Sequence, residues 1–254
     1  MRKVPQNGLY QLFKSNDNSH WLVISQTGQI NAAAATVYLS EKSKAPAWSI
    51  WINLGISGGS NKNYGLPFLI NKVTNKSTNK SDYPSILFCK FLPRRELITV
   101  DYPENNYQES SLFDMEGASF FEIASRIASK DTTLLIKVVS DSPDNCISCL
   151  NSKIITTLIH KNIESITKSI EELEKISANE STFHEDPPGF EELNKKFHFT
   201  ITQKHQLRQT LNKLKSLYGK SGPLTELSEE KSAKGVLRLL DSKMQQKKIN
   251  WNNQ

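Results

Sequence analysis

Three cysteines, Cys89, Cys146 and Cys149, are too few to staple a disulfide framework. Cys146 and Cys149 have C-x-x-C spacing, but no second pair exists to complete a tetrahedral zinc site. They stand either as two ordinary thiols or as a redox pair, and neither a metal site nor a cofactor is expected. No stretch approaches the ~20 apolar residues of a membrane span, and the first residues lack the apolar centre of a secretion signal. The expectation is a cytoplasmic protein with no membrane partner. Aromatic residues are thinly spread towards the C-terminus (Phe197, Phe199, Tyr218, Trp251), so base stacking along a nucleic acid is not indicated there.

What is present suits one α/β domain and an appendage, or two small domains: 254 residues, 37% of them hydrophobic, enough for a sizeable core. The net charge of +6 is uneven. From Lys195 to Gln254, 13 Lys or Arg stand against 4 Asp or Glu, whereas the rest of the chain has 19 against 22. Any attraction to a nucleic acid or an acidic protein is therefore confined to this tail, whose alternative role is a solvated helical appendage. The expected organisation is an α/β domain over residues 1–178, a linker over 179–196 around Pro187-Pro188-Gly189, and a basic helical tail over 197–254.

Gly8–Lys14 and Trp21–Ser25, separated by a polar turn cluster, read as a β-hairpin. Gly28 then turns the chain into an alanine-rich helix. Trp48–Leu54 reads as a central strand running into Gly55-Ile56-Ser57-Gly58-Gly59, where the glycines indicate either a tight turn or close backbone approach to a ligand. Short strands are expected at Pro67–Val73, Ser85–Phe91 and Glu96–Val100. One long helix is expected over Asn151–Ile176, and two shorter ones carry Leu207–Tyr218, with Thr202 as a candidate cap, and Leu227–Met244.

Two carboxylates sit at the edges of apolar segments. Glu116 opens a segment with helical spacing (Ala118, Phe121, Ile123, Ala124, Ile127). Asp141 follows Leu134–Val139, which reads as a buried parallel strand. Both either face one small-molecule pocket at the rim of the sheet, or serve locally, Glu116 as a helix cap and Asp141 as the start of a turn.

Four pieces in order, Ser25–Ala34, Asn53–Gly59, Asp114-Met115-Glu116-Gly117-Ala118 and Lys137-Val138-Val139-Ser140-Asp141, resemble the nucleoside phosphorylase-like superfamily. Within it they are most similar to the methylthioadenosine/S-adenosylhomocysteine nucleosidase branch. The resemblance covers about Gly8 to Ile176. It implies a three-layer α/β/α domain that cleaves the N-glycosidic bond of a purine nucleoside, commonly as a homo-oligomer. Carried over, Met115 packs on the ribose and Glu116 accepts from its hydroxyls. Asp141 protonates N7 of the leaving base, oriented by Ser140, and Ser25, Gly55, Ser57 and Gly58 fall at substrate-binding positions. The departures are an N-terminus without the family's first strand and its water-activating glutamate, and no phosphate-binding glycine or arginine, so phosphorolysis is not implied. Tyr102 and Tyr107 are the aromatics available to stack on a base. Without catalysis, the same residues imply a nucleoside-binding or scaffold protein with a basic tail.

Overall fold

The computed structural model describes residues 1–5, 8–85, 90–104, 107, 109–184, 186–218, 227 and 230–246. These form two compact units, Met1–Ser181 and Thr182–Gln254. The first opens with a small antiparallel sheet of β1 (Arg2–Lys3), β2 (Gln11–Lys14) and β3 (Trp21–Ile24). The expected hairpin is thus present, Gln11 facing Ile24 and Lys14 facing Trp21. Helix α1 (Gln29–Ser43) follows, with Gly28 in front of it at φ 104, a conformation that favours glycine.

The large sheet contains β4 (Trp51–Gly58), β5 (Pro67–Asn75), β6 (Ser81–Asp82), β7 (Arg94–Thr99), β8 (Ser111–Asp114) and β9 (Thr133–Asp141), in the order β6-β5-β7-β8-β4-β9. A further antiparallel pairing of Pro67–Leu69 with Ile136–Val138 joins β5 to β9, so the sheet curls into a ring. Most of the expected strand at Ser85–Phe91 lies outside the described residues. Among the described residues, no strand ahead of β2 enters this sheet; Arg2–Lys3 pairs with β2 instead. One edge of β4 is paired with β9 along its length, whereas the other is paired only at Gly58, and Leu54 is 41% exposed.

The helices of the first unit continue with α2 (Gly117–Ile127), α3 (Ser152–Lys161) and α4 (Ile163–His184). Every residue of β9 is buried, as its near-continuous apolar run requires of a strand covered on both faces. Leu135 and Val139 pack with Phe68, Leu112 and, from α2, Phe120 and Phe121. Leu134, Ile136 and Val138 point the other way, onto Leu158 of α3 and Ile166 and Leu173 of α4. Two helical layers on a central sheet follow from that alternation. The single helix expected after Asp141 is two helices, because the Asn162 side-chain amide donates to the carbonyls of Leu158 (2.8 Å) and Gly65 (2.9 Å), seating a break there. Helix α4 also runs on to His184, through the first third of the stretch expected as linker.

The second unit contains α5 (Phe190–Lys196), α6 (Ile201–Tyr218) and α7 (Ala233–Gln246). It has a core of its own, including Phe190, Leu193, Phe199, Leu207, Leu211, Val236 and Leu240. The cap of α6 is Thr200 rather than Thr202. Its backbone N–H donates to Gln203 Oε1 (2.9 Å), and Gln203 N–H returns to Thr200 Oγ1 (3.3 Å), a reciprocal capping box.

Phe121 is fully buried between α2 and the sheet. Phe121→Ala is expected to lower unfolding free energy by roughly 3–5 kcal/mol, read from the urea midpoint at unchanged slope.

Candidate active site

The parallel register of β4 and β9 runs from Trp51 opposite Thr133 to Ser57 opposite Val139, then slips at a bulge so that Gly58 faces Asp141. On its other side Gly58 faces Phe113 of β8. The two segments that carry the acids therefore converge on one glycine. A side chain there would run into the Tyr107 ring and the Asp141 carboxylate, and Gly55 and Gly58 lie within the strand rather than in a turn. Bulges re-aim side chains at functional rims.

Asp141 and Ser140 are both buried. Ser140 Oγ donates to Asp141 Oδ1 at 2.7 Å and lies 3.4 Å from the Ser57 carbonyl. The Tyr107 hydroxyl donates to Asp141 Oδ2, and its ring lies 5.8 Å from that of Phe113, tilted by 48°. Burial, and then the hydrogen bond and charge of Asp141, push the Tyr107 phenol well above the ordinary tyrosine range. Asp141 is the last residue of a strand, not the first of a turn.

Glu116 stands just before α2, yet its side chain does not cap that helix. Asp114 Oδ2 accepts from Gly117 N–H (2.8 Å), and Thr99 Oγ1 accepts from Ala118 N–H (2.9 Å) while donating to Asp114 Oδ1 (2.7 Å). With the first amides of α2 satisfied by Asp114 and Thr99, the Glu116 carboxylate turns to other donors. Oε1 accepts from Gly28 N–H at 2.8 Å and Oε2 from Met115 N–H at 3.3 Å. Met115 and Glu116 are half-buried, leaving them accessible to a small ligand.

Behind the rim, Lys137 Nζ lies 2.7 Å from Asp114 Oδ2, the two side chains being 2% and 0% exposed. Gly55 belongs to this layer: a Cβ there would come 3.3 Å from Lys137 Nζ. Ser57 is buried, and its hydroxyl has no hydrogen-bond partner among the described residues. Ser25 is half-buried and donates to the Gln26 carbonyl at 3.1 Å. The strands thus bring Ser57, Gly58, Ser140 and Asp141 together, while Met115 and Glu116 follow directly from β8. Ser25 is turned back on its own neighbour and Gly55 supports the ion pair. Tyr102 is 83% exposed.

Sequence reasoning gave no role to Lys137 or Thr99 and did not see Asp114 as the cap. A lone lysine inside a strand as apolar as β9 was the available signal for the first. Among the described residues, no group of His, Cys, Asp and Glu is arranged to hold a metal ion, and no helix is long and apolar enough to cross a membrane.

No protein-family model and no curated protein matches the chain. Solved structures do. The methylthioadenosine/S-adenosylhomocysteine nucleosidase of Neisseria meningitidis, solved in complex with methylthio-immucillin-A, superposes with a TM-score of 0.54 at 14% identity, covering 66% of this chain and 88% of that one. The corresponding Campylobacter jejuni nucleosidase gives 0.51 at 15% identity over 67% and 89%. A futalosine hydrolase mutant of Helicobacter pylori gives 0.50 at 10% identity over 67% and 88%. The chain therefore carries a three-layer α/β/α nucleoside phosphorylase-like fold with a helical C-terminal extension.

Two outcomes are expected from this geometry. In an ultraviolet titration, Tyr107 ionises only at pH well above 10, and Asp141→Asn brings it part of the way back, since burial remains. With its folded-state value raised, this phenol contributes stability that is fully present below about pH 10 and fades as pH rises through the folded value. Lys137→Met is expected to cost about 3–5 kcal/mol by leaving the Asp114 charge buried and unpaired. Adding Asp114→Asn should recover part of that loss in the same denaturation assay.

Proposed function

We propose that the protein hydrolyses the N-glycosidic bond of an adenosine-type nucleoside of the methylthioadenosine, S-adenosylhomocysteine or 5′-deoxyadenosine class. The observation that carries this reading is the setting of Asp141: buried at a strand end, with Oδ1 held by Ser140 and Oδ2 directed at a donor. Substrate N7 takes the place of the Tyr107 hydroxyl on Oδ2. Asp141 relays a proton to N7 as the C1′–N9 bond breaks, so the electron pair leaves on a neutral base rather than an anion. The ribosyl group passes through an oxocarbenium-like state. Glu116, with lone pairs beyond those used by Gly28 and Met115, accepts from the ribose hydroxyls and stabilises the developing positive charge. Water then adds at C1′, and the proton it loses restores the one Asp141 delivered to N7. Met115 packs against the sugar, and Ser57, beside Gly58, offers a hydroxyl not otherwise engaged. The likeness of fold to nucleosidases supports the reading. On it the protein works without a cofactor, as a homo-oligomer in the cytoplasm.

A second reading concerns the other unit, where Lys213, Lys231, Lys234 and Arg238 are exposed on a module with its own core. There the chain is a nucleoside-binding scaffold whose basic module holds a nucleic acid or an acidic protein. Binding to duplex DNA or RNA that falls steeply with salt would favour it, and the absence of a shift at low salt would dismiss it.

The principal test is to incubate the purified chain with the three nucleosides and measure free adenine. Release is expected from the unaltered chain. Asp141→Asn should lower kcat by about 10²–10⁴-fold, while Glu116→Gln should act on KM as well. Tight nucleoside binding with no adenine released at high protein concentration would sink the enzymatic reading.

A further inference from the structure

Just past the candidate acid the chain makes a tight turn. Ser142 and Asn145 exchange both backbone bonds (3.0 and 2.9 Å), Asn145 Nδ2 donates to Ser142 Oγ (2.9 Å), and Asp144 N–H donates to Asn61 Oδ1 (3.0 Å). This anchored turn leads straight into a 3-10 turn, Ile147–Cys149, with Cys146 at its entrance. Cys149 N–H donates to the Cys146 carbonyl at 3.0 Å. A turn closed by such a bond holds its end Cα atoms within about 7 Å, which overlaps the roughly 4.4–6.8 Å spanned by disulfides. Both thiols are free and exposed.

Cys146 Sγ lies 2.8 Å from Ser148 Oγ. That hydroxyl, then the Ser148 backbone N–H, hold the Cys146 thiol below its ordinary range, with a smaller contribution from Cys149. The thiolate is the attacking form in disulfide exchange. Cys146 is also close enough for its charge to act on the Tyr107 phenol, the group that donates to Asp141.

We propose that Cys146 and Cys149 are a reversible dithiol switch, converted by a low-molecular-weight disulfide into an internal disulfide beside the candidate acid. Cys146 thiolate attacks one sulfur of the external disulfide, expelling one thiolate and forming a mixed disulfide. Cys149 thiolate then attacks Cys146 Sγ and expels the second. The two protein thiols are oxidised, one external disulfide is reduced to two thiols, and the two protons pass to the departing thiolates. Oxidation replaces the ionisable Cys146 thiol with a neutral disulfide and pins the chain a few residues beyond Asp141. The thiol chemistry stands independently; its effect on turnover rests on the nucleosidase reading.

The test uses the full chain carrying Cys89→Ser, which leaves these two thiols alone, equilibrated with oxidised and reduced glutathione. Both thiols should disappear together, with loss of two hydrogens in the intact mass, no glutathione retained, and full recovery in dithiothreitol. Adding Cys146→Ser or Cys149→Ser should instead leave one glutathione attached. Should Cys89→Ser not fold, peptide mapping of the unaltered chain for a Cys146–Cys149 link gives the same answer. Thiols that stay free in excess oxidised glutathione, or glutathione adducts without an internal link, would overturn the proposal. Adenine release should differ several-fold between oxidised and reduced forms. Equal release would overturn the coupling to Asp141, whereas no release from either counts against the nucleosidase reading alone.

Discussion

The Lys137–Asp114 pair is the interaction on which the candidate site depends. It spans from β9 to β8 inside a layer where the two side chains are 2% and 0% exposed. Burying two charges is costly, and only close geometry with the remaining polar atoms satisfied offsets that cost. Asp114 meets the condition by accepting from Thr99 Oγ1 and Gly117 N–H as well as from the lysine. Each acid of the site stands a short step along the chain from this pair, Glu116 two residues after Asp114 and Asp141 four after Lys137. Fixing the pair fixes where both carboxylates emerge. Glycine is required around it: a Cβ on Gly117 would meet Leu97, Asp114 and Leu135, and one on Gly55 would press on Lys137 Nζ.

The division of labour between neighbouring acids follows from the same pair. Asp114 is spent on the ion pair and the helix start, so Glu116 is not needed as a cap. Its oxygens receive Gly28 and Met115 N–H groups and retain lone pairs. The N–H of Gly28 comes from the turn between β3 and α1, which ties the small N-terminal sheet to the site through one backbone bond. Asp141 has its two oxygens distinguished by their donors, Ser140 on one and Tyr107 on the other. Held by one donor on each oxygen, the carboxylate is fixed in orientation.

Neither the ring closure of the sheet nor the bulge at Gly58 adds chemistry of its own, yet both decide which residues meet. Pairing of β5 with Ile136–Val138 covers an edge of β9, while the helices cover its two faces. The slip between Ser57 and Gly58 sets Asp141, rather than Ser140, opposite the glycine. In the second unit, the separate core of α5, α6 and α7 makes the basic region a folded module in which Arg208 is held by Asp186 (2.6 Å) and lies over Phe190.

Much of this was legible in the residues themselves. Period-two alternation and turn clusters located the hairpin, apolar runs located β4 and β9, a glycine turn into an alanine-rich run located α1, and helical spacing located α2. Ordered fragments with Glu116 and Asp141 pointed to the fold. These are local signals, carried by neighbours in the chain. Tertiary structure alone decided the rest, because each feature has its partner far away in sequence. Asn162 breaks the expected helix by reaching Gly65. Lys137 is tolerated in a buried strand because Asp114 lies across from it. Tyr107, ahead of the start of β8, reaches Asp141 at the end of β9. Spacing along the chain names Glu116 and Asp141; the free energy of burying a charge, which exists only once the strands are packed, commits a third acid, Asp114, to Lys137.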